Sequence, residues 1–259
     1  MPSIKANQAQ VHYEIHGDDT APVLLLSHSL GVNGDMWRPQ VSSFTQQFRV
    51  VRYDTRGHGQ TTASPGPYSM DLLGRDVIAL LDELRLEKVH FCGLSMGGAI
   101  GMWLGVNAPQ RLNRLVLSNT AAKLGTAEGW KSRIDSVKKG GMQAVASGII
   151  ERWFTAGFRE SHREVVSSTQ KTMEETGPGG YVACCEALSA MDQRSTVSKI
   201  TVPTLVVVGA HDPVTTRADG QFLAEKIRGA RYVELDAAHL SNIEDAQHFS
   251  TAVASFLSA

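Results

Sequence analysis

Several strand-length runs of this chain are apolar from end to end, and that continuity restricts the fold more than any other feature. PVLLLSH (22 to 28), VHFCGLS (89 to 95) and TLVVVGAHD (204 to 212) leave no polar face for water. Such runs belong in the middle of a sheet covered on both sides. RVVRYD (49 to 54), LVLSNT (115 to 120) and RYVELD (231 to 236) are further strand-length runs, whereas VHYEIHG (11 to 17) alternates and reads as a half-buried edge strand. Between the strands the apolar period changes to about 3.6, as in Leu72, Leu73, Val77, Leu80, Leu81 and Leu84, or Ala246, Phe249, Val253 and Phe256. Strands alternating with helices predict an α/β fold with a mostly parallel central sheet flanked by helices.

The alternation lapses between about Lys123 and Thr201, where the pattern turns helical, carries Trp130, Trp153, Phe154 and Phe158, and is broken by GPGG at 177 to 180. A helical cap is expected there. The division is a core of residues 1–122 and 198–259, with the cap at 123–197. Inserted between two core strands, the cap would lie over the C-terminal edge of the sheet, where ligands of open α/β sheets bind.

Gly93-Leu94-Ser95-Met96-Gly97-Gly98 follows the strand VHFC directly and precedes the helix-like AIGMWLGV. A sharp strand-to-helix turn strains its central residue and needs small neighbours. It would lift Ser95 Oγ clear of the sheet and aim the Met96 N–H at any negative charge forming there. The bland alternative is a glycine-rich turn with an idle serine.

A serine hydroxyl needs a base, and the base an orienting acid. His239 follows the last predicted strand, on the edge where Ser95 emerges. Asp212 ends the strand before it, ahead of Pro213, and is preferred as the acid; Asp236 is the fallback, with loop capping as its plain role. LVLSNT ends without a carboxylate. The order Ser95, Asp212, His239 is the order of α/β-hydrolase triads. A second oxyanion donor is expected from the loop Ser27-His28-Ser29-Leu30-Gly31, as the backbone N–H of Leu30 beside that of Met96. His28 and His58 are expected to orient loops beneath the site. Trp130 and Arg133 lie three apart, so they can share a helix face. They could offer an aromatic wall and a guanidinium, or be a packed tryptophan beside a solvated arginine.

Composition narrows the ligand. With 25 Lys and Arg against 26 Asp and Glu and no block of like charge, nothing attracts nucleic acid or an anionic membrane. The expected partner is a small molecule. There is no CxxC or HExxH spacing, so no metal is expected, and a serine with its base and acid requires no cofactor. Three cysteines form no disulfide framework, and Cys92, Cys184 and Cys185 read as small buried hydrophobes. The opening MPSIKANQAQ lacks the apolar core of a signal peptide and no run is long enough for a membrane helix, so a cytoplasmic protein is expected. Oligomeric state is left open.

On these residues the sequence resembles the α/β-hydrolase superfamily, and within it the 3-oxoadipate enol-lactonases of the β-ketoadipate route for aromatic degradation. The resemblance runs through SLG (29 to 31), RYDTRGHG (52 to 59), FCGLSMGG (91 to 98), SNTAAKLGTAEGW (118 to 130), RWFTAGF (152 to 158) and YVELDAAHLSNIE (232 to 244). His28 is a departure, since the family more often carries asparagine there. The resemblance implies a small anionic lactone as substrate, with Trp130 and Arg133 as candidate binding residues and hydrolysis through an acyl-enzyme; Trp153 could wall the opposite side of the ligand or be a core residue. Rival expectations on the same scaffold are a small-ester carboxylesterase or a cofactor-free perhydrolase, and from another class a ligand-binding receptor with a slow triad.

Overall fold

The computed structural model describes residues 2–259. Among these residues the strands are β1 (Ser3–Ala6), β2 (Ala9–His16), β3 (Val23–Ser27), β4 (Arg49–Tyr53), β5 (Val89–Leu94), β6 (Leu112–Ser118), β7 (Thr204–Gly209) and β8 (Arg231–Leu235). They form one sheet in the order β1-β2-β4-β3-β5-β6-β7-β8. The pairs β1·β2 and β2·β4 are antiparallel and the others parallel. The fold is α/β, as expected. The apolar runs sit mid-sheet: Leu24, Leu25 and Leu26 of β3 are fully buried, and every residue of β5 and β7 is buried.

The helices are α1 (Arg38–Phe44), α2 (Met70–Glu83), α3 (Met96–Asn107), α4 (Ala127–Gly140), α5 (Gln143–Trp153), α6 (Ala156–Ser161), α7 (Arg163–Glu175), α8 (Pro178–Ala190), α9 (Arg217–Lys226), α10 (Ser241–Glu244) and α11 (Ala246–Leu257). Their periodicity translates into burial. Ser69 caps α2 by accepting from the Leu72 N–H, and Leu73, Val77, Leu80 and Leu81 face the core. In α11 the buried stripe is Phe249, Val253 and Phe256.

One expectation is corrected. The alternating run at 11 to 17 is not an edge strand, because β1 pairs along its outer side with Ile4 opposite Val11. The two are joined at Asn7 and Gln8, both with positive φ (43° and 66°), as a two-residue hairpin of this twist requires. Polar residues around a turn without glycine concealed β1.

Helices α4 to α8 lie between β6 and β7. α4 packs on α5 and α8, and α5 packs on α7. This group is fastened to the sheet side at separate points. Thr176 Oγ1 donates to the Gly31 carbonyl (3.0 Å), the Leu240 N–H donates to the Trp153 carbonyl (3.1 Å), and Gln193 Nε2 donates to the Ala99 carbonyl (3.0 Å). The loops after β3 and β8 therefore touch the inserted helices directly.

One close backbone approach in the core joins α3 to β3. A Cβ built on Gly97 would stand 2.2 Å from the Ser27 carbonyl oxygen, which is backbone and cannot swing aside. Gly97→Ala should therefore lower the thermal midpoint by roughly 4 to 10 °C, the usual effect of overpacking in a chain of this size. Calorimetry checks this; an unchanged midpoint contradicts the packing described.

Candidate active site

The site begins at the C-terminal end of β5. Ser95 caps α3 with φ 58° and ψ −111°, a conformation that costs about 1–3 kcal/mol and survives only where its surroundings enforce it. They do so from three sides. The Ser95 N–H donates to the Ser118 carbonyl (2.9 Å), its carbonyl accepts from Thr120 Oγ1 (2.8 Å), and the next turn is tied to the loop after β3 by the Gly97 N–H donating to the His28 carbonyl (3.1 Å). The hydroxyl itself makes no hydrogen bond to a described residue and borders a cavity of about 550 Å³.

His239 and Asp212 come from the loops after β8 and β7. Nδ1 of His239 lies 2.8 Å from Asp212 Oδ2, with both side chains out of solvent. The carboxylate is saturated with donors: Oδ1 accepts from the Val214 N–H (2.7 Å) and the Thr215 N–H (3.0 Å), and Oδ2 also accepts from Thr215 Oγ1 (2.6 Å) and Asn119 Nδ2 (3.0 Å). Burial by itself raises the Asp212 pKa, but His239 and the hydrogen bonds from Thr215 and Asn119 outweigh it and bring the carboxyl down to about 2. An ionised acceptor at Oδ2 keeps the ring proton on Nδ1. The lone pair of Nε2 is thus free for a proton. His239 borders the same cavity as Ser95.

Asp236, the fallback acid, is elsewhere: its exposed carboxylate accepts from His211 Nε2 at 2.7 Å. Asn119 was not singled out from sequence. It stands at the end of β6 with φ 42°, donates to both Asp212 and the Ala238 carbonyl (3.2 Å), and accepts from Ser241 Oγ (2.6 Å). It ties the acid to the histidine loop. No local pattern reveals this, because its partners lie 93 and 119 residues away.

Of the other anticipated residues, Leu30, Trp130, Arg133 and Trp153 border the cavity, whereas Met96 is fully buried behind Ser95 and is not part of its lining. Leu30 forms part of the wall, and neither its N–H nor that of Met96 has an acceptor among the described residues. Trp130, Arg133 and Trp153 line the cavity, with the Arg133 guanidinium 4.8 Å from the centre of the Trp130 ring. The Trp153 ring lies 6.1 Å from that of His239. Arg152 lines it too and was overlooked, although Val145, Gly148, Ile149 and Arg152 follow the helical period on one face of α5. Burial, then the Arg133 charge, lowers the Arg152 pKa. Two cations therefore share this cavity, and neither is paired with a carboxylate among the described residues. His28 and His58 do not reach it; both lie beneath the loop after β3. No cluster of His, Cys, Asp or Glu suited to a metal ion occurs among the described residues, and no helix there is long and apolar enough to cross a membrane.

The depressed Asp212 pKa has a signed consequence. In the unfolded chain the carboxyl titrates near its ordinary value of about 4. Its contribution to folding is therefore complete above that pH and is lost as pH falls towards about 2. Chemical-denaturation midpoints measured from pH 6 to pH 2 should fall less steeply at the acid end for Asp212→Asn than for the wild type. Parallel curves would contradict the assignment of a buried, ionised carboxylate.

The family model described as alpha/beta hydrolase fold matches residues 22–246. The chain is 43% identical to 3-oxoadipate enol-lactonase 2 of Acinetobacter baylyi over 97% of its own length and 94% of that protein's. It is 39% identical to 3-oxoadipate enol-lactonase 1 of the same organism, over 91% and 88% respectively. The crystal structure of the enol-lactonase from Burkholderia xenovorans LB400 superposes with a TM-score of 0.99 at 43% identity, covering 100% of both chains. With the family model spanning most of its length and the sheet order laid out above, the chain belongs to the α/β-hydrolase fold family.

Proposed function

We propose that this chain is a serine hydrolase that opens the ring of 3-oxoadipate enol-lactone to give 3-oxoadipate through an acyl-enzyme on Ser95, within the breakdown of aromatic compounds. The observation that carries the reading is one cavity bordered by Ser95, by a histidine oriented by an ionised aspartate, and by two arginines without carboxylate partners. The first two make a nucleophile and base; the arginines select an anionic substrate. Near-full-length likeness to proteins named 3-oxoadipate enol-lactonase supports the substrate.

In this mechanism His239 Nε2 takes the Ser95 proton as Oγ attacks the lactone carbonyl. Asp212 keeps the imidazole in the required tautomer and stabilises the imidazolium. The tetrahedral oxyanion accepts from the N–H groups of Leu30 and Met96, the latter also at the positive end of α3. Collapse breaks the ring C–O bond. The ring oxygen leaves with the proton from His239 as an enol, a better leaving group than an alkoxide, and tautomerises to the ketone. Water deprotonated by His239 then releases the acid and restores Ser95. No cofactor takes part.

Residues 123–197 serve as a cap that walls the substrate over the sheet, with 1–122 and 198–259 as the core. The Arg133 guanidinium pairs with the substrate carboxylate, two-pronged geometry that lysine would not reproduce. Trp130 and Trp153 flank the ring. A cytoplasmic location fits a chain whose three cysteines are all free and buried.

Arg133→Ala tests the reading through its substrate. Loss of a charge-assisted contact should cut kcat/KM on the enol-lactone about 10- to 100-fold. Turnover of p-nitrophenyl acetate, which has no carboxylate, should change less than about threefold. Equal losses on both would favour a general esterase.

A further inference from the structure

Nothing in the Leu30 side chain decides where the Leu30 N–H points. In a trans peptide the C=O and N–H leave from opposite edges, so whatever holds the Ser29 carbonyl also aims the Leu30 N–H. The Ser29–Leu30 peptide is trans; Gly66–Pro67 is the cis bond found among the described residues.

His28 holds that carbonyl. Its ring is fully buried, with Nδ1 2.7 Å from the Ser29 carbonyl oxygen and Nε2 2.8 Å from the Thr55 backbone nitrogen. A backbone N–H can only donate, so Nε2 is the acceptor. Nδ1 then carries the single ring proton and donates it to Ser29 O. The opposite tautomer would set N–H against N–H at Thr55 and lone pair against lone pair at Ser29. Burial also holds the His28 pKa below its ordinary value, which keeps the ring neutral as this pattern demands. On the far side of Leu30, His58 Nε2 accepts from the Gly31 N–H (3.0 Å), and the two rings lie 5.4 Å apart. The peptides before and after Leu30 are each held by an imidazole.

We propose that His28 is a positioning residue of the oxyanion hole: its Nδ1–H pins the Ser29 carbonyl and so turns the Leu30 N–H into the cavity. The inference rests on Leu30 being an oxyanion donor. It predicts a loss confined to the transition state, because substrate held by arginine and tryptophan does not need the oxyanion donor until the tetrahedral species forms.

Two substitutions separate the ring's two bonds. His28→Asn places an amide near the Nδ1 position and keeps a donor for Ser29 O; His28→Gln reaches towards the Nε2 position and keeps an acceptor for the Thr55 N–H. The expected result is that H28Q loses kcat about 30-fold or more while KM moves less than about threefold, and that H28N stays within about fivefold of wild type. A boronic acid, which forms a tetrahedral adduct with a serine hydroxyl, should lose affinity in H28Q in parallel with kcat. Equal kcat losses in the two variants, a greater loss in H28N, or a loss expressed in KM would overturn the proposal. Nitrogen NMR of the wild-type imidazole tests it without any variant that must fold: Nδ1 should be protonated and Nε2 bare, and the reverse overturns it. Both p-nitrophenyl acetate and the enol-lactone are used. Failure on the lactone alone defeats the proposed substrate and leaves His28 tested by the ester, since either carbonyl generates an oxyanion.

Discussion

A serine at φ 58° and ψ −111° is held there against its own preference, and the rest of the site is built around that constraint. The reversal from β5 into α3 sets the hydroxyl beyond the strand and the first turn of the helix behind it. It is maintained by Ser118 on one neighbouring strand, by Thr120, and by the contact of Gly97 with β3. Ser118 and Ser27 belong to central strands buried for their own hydrophobic reasons, and Thr120 is buried in the loop that follows β6. Sheet packing therefore supplies the strain that the loop alone could not sustain.

A second constraint is electrostatic. An ionised carboxylate away from water is costly unless its lone pairs are filled. Asp212 meets that condition with donors from its own loop, from β6 through Asn119, and from His239. The price of leaving any of these out would be an uncompensated charge, so the loops after β6, β7 and β8 are bound to one another through a single side chain. The inserted helices are hydrogen-bonded to the loop after β8 at Leu240 and, separately, to the loop after β3 at Gly31. The cavity is thereby closed by elements distant in sequence yet fastened to a few backbone groups.

Much of this was legible in the chain because it is written in local patterns. β3, β5 and β7 announce themselves as central strands by having no polar face, and the glycines around Ser95 mark a turn that few other contexts require. What stayed hidden depends on tertiary proximity. The Asn119 side chain reaches partners across the sheet, and β1 is a four-residue strand, Ser-Ile-Lys-Ala, whose pairing with β2 erases the edge that alternation suggested. Arg152 differs in kind: its helical spacing with Val145 and Ile149 was readable, and only the cavity shows which way that face turns. His28 stood in a motif plainly enough, but its two-sided hydrogen bonding could be found only once Thr55 was seen against the ring.

The central claim is that the strained hydroxyl at position 95 is the atom that attacks the substrate. Its most direct measurement is the steady-state turnover of Ser95→Ala on the enol-lactone, beside equilibrium binding of 3-oxoadipate to the same variant. The account predicts a fall in kcat on the order of 10⁴-fold or more with binding retained, because the cavity walls and cations are untouched. Turnover within about tenfold of the wild type would contradict it, and the reaction would then have to proceed without a covalent serine intermediate.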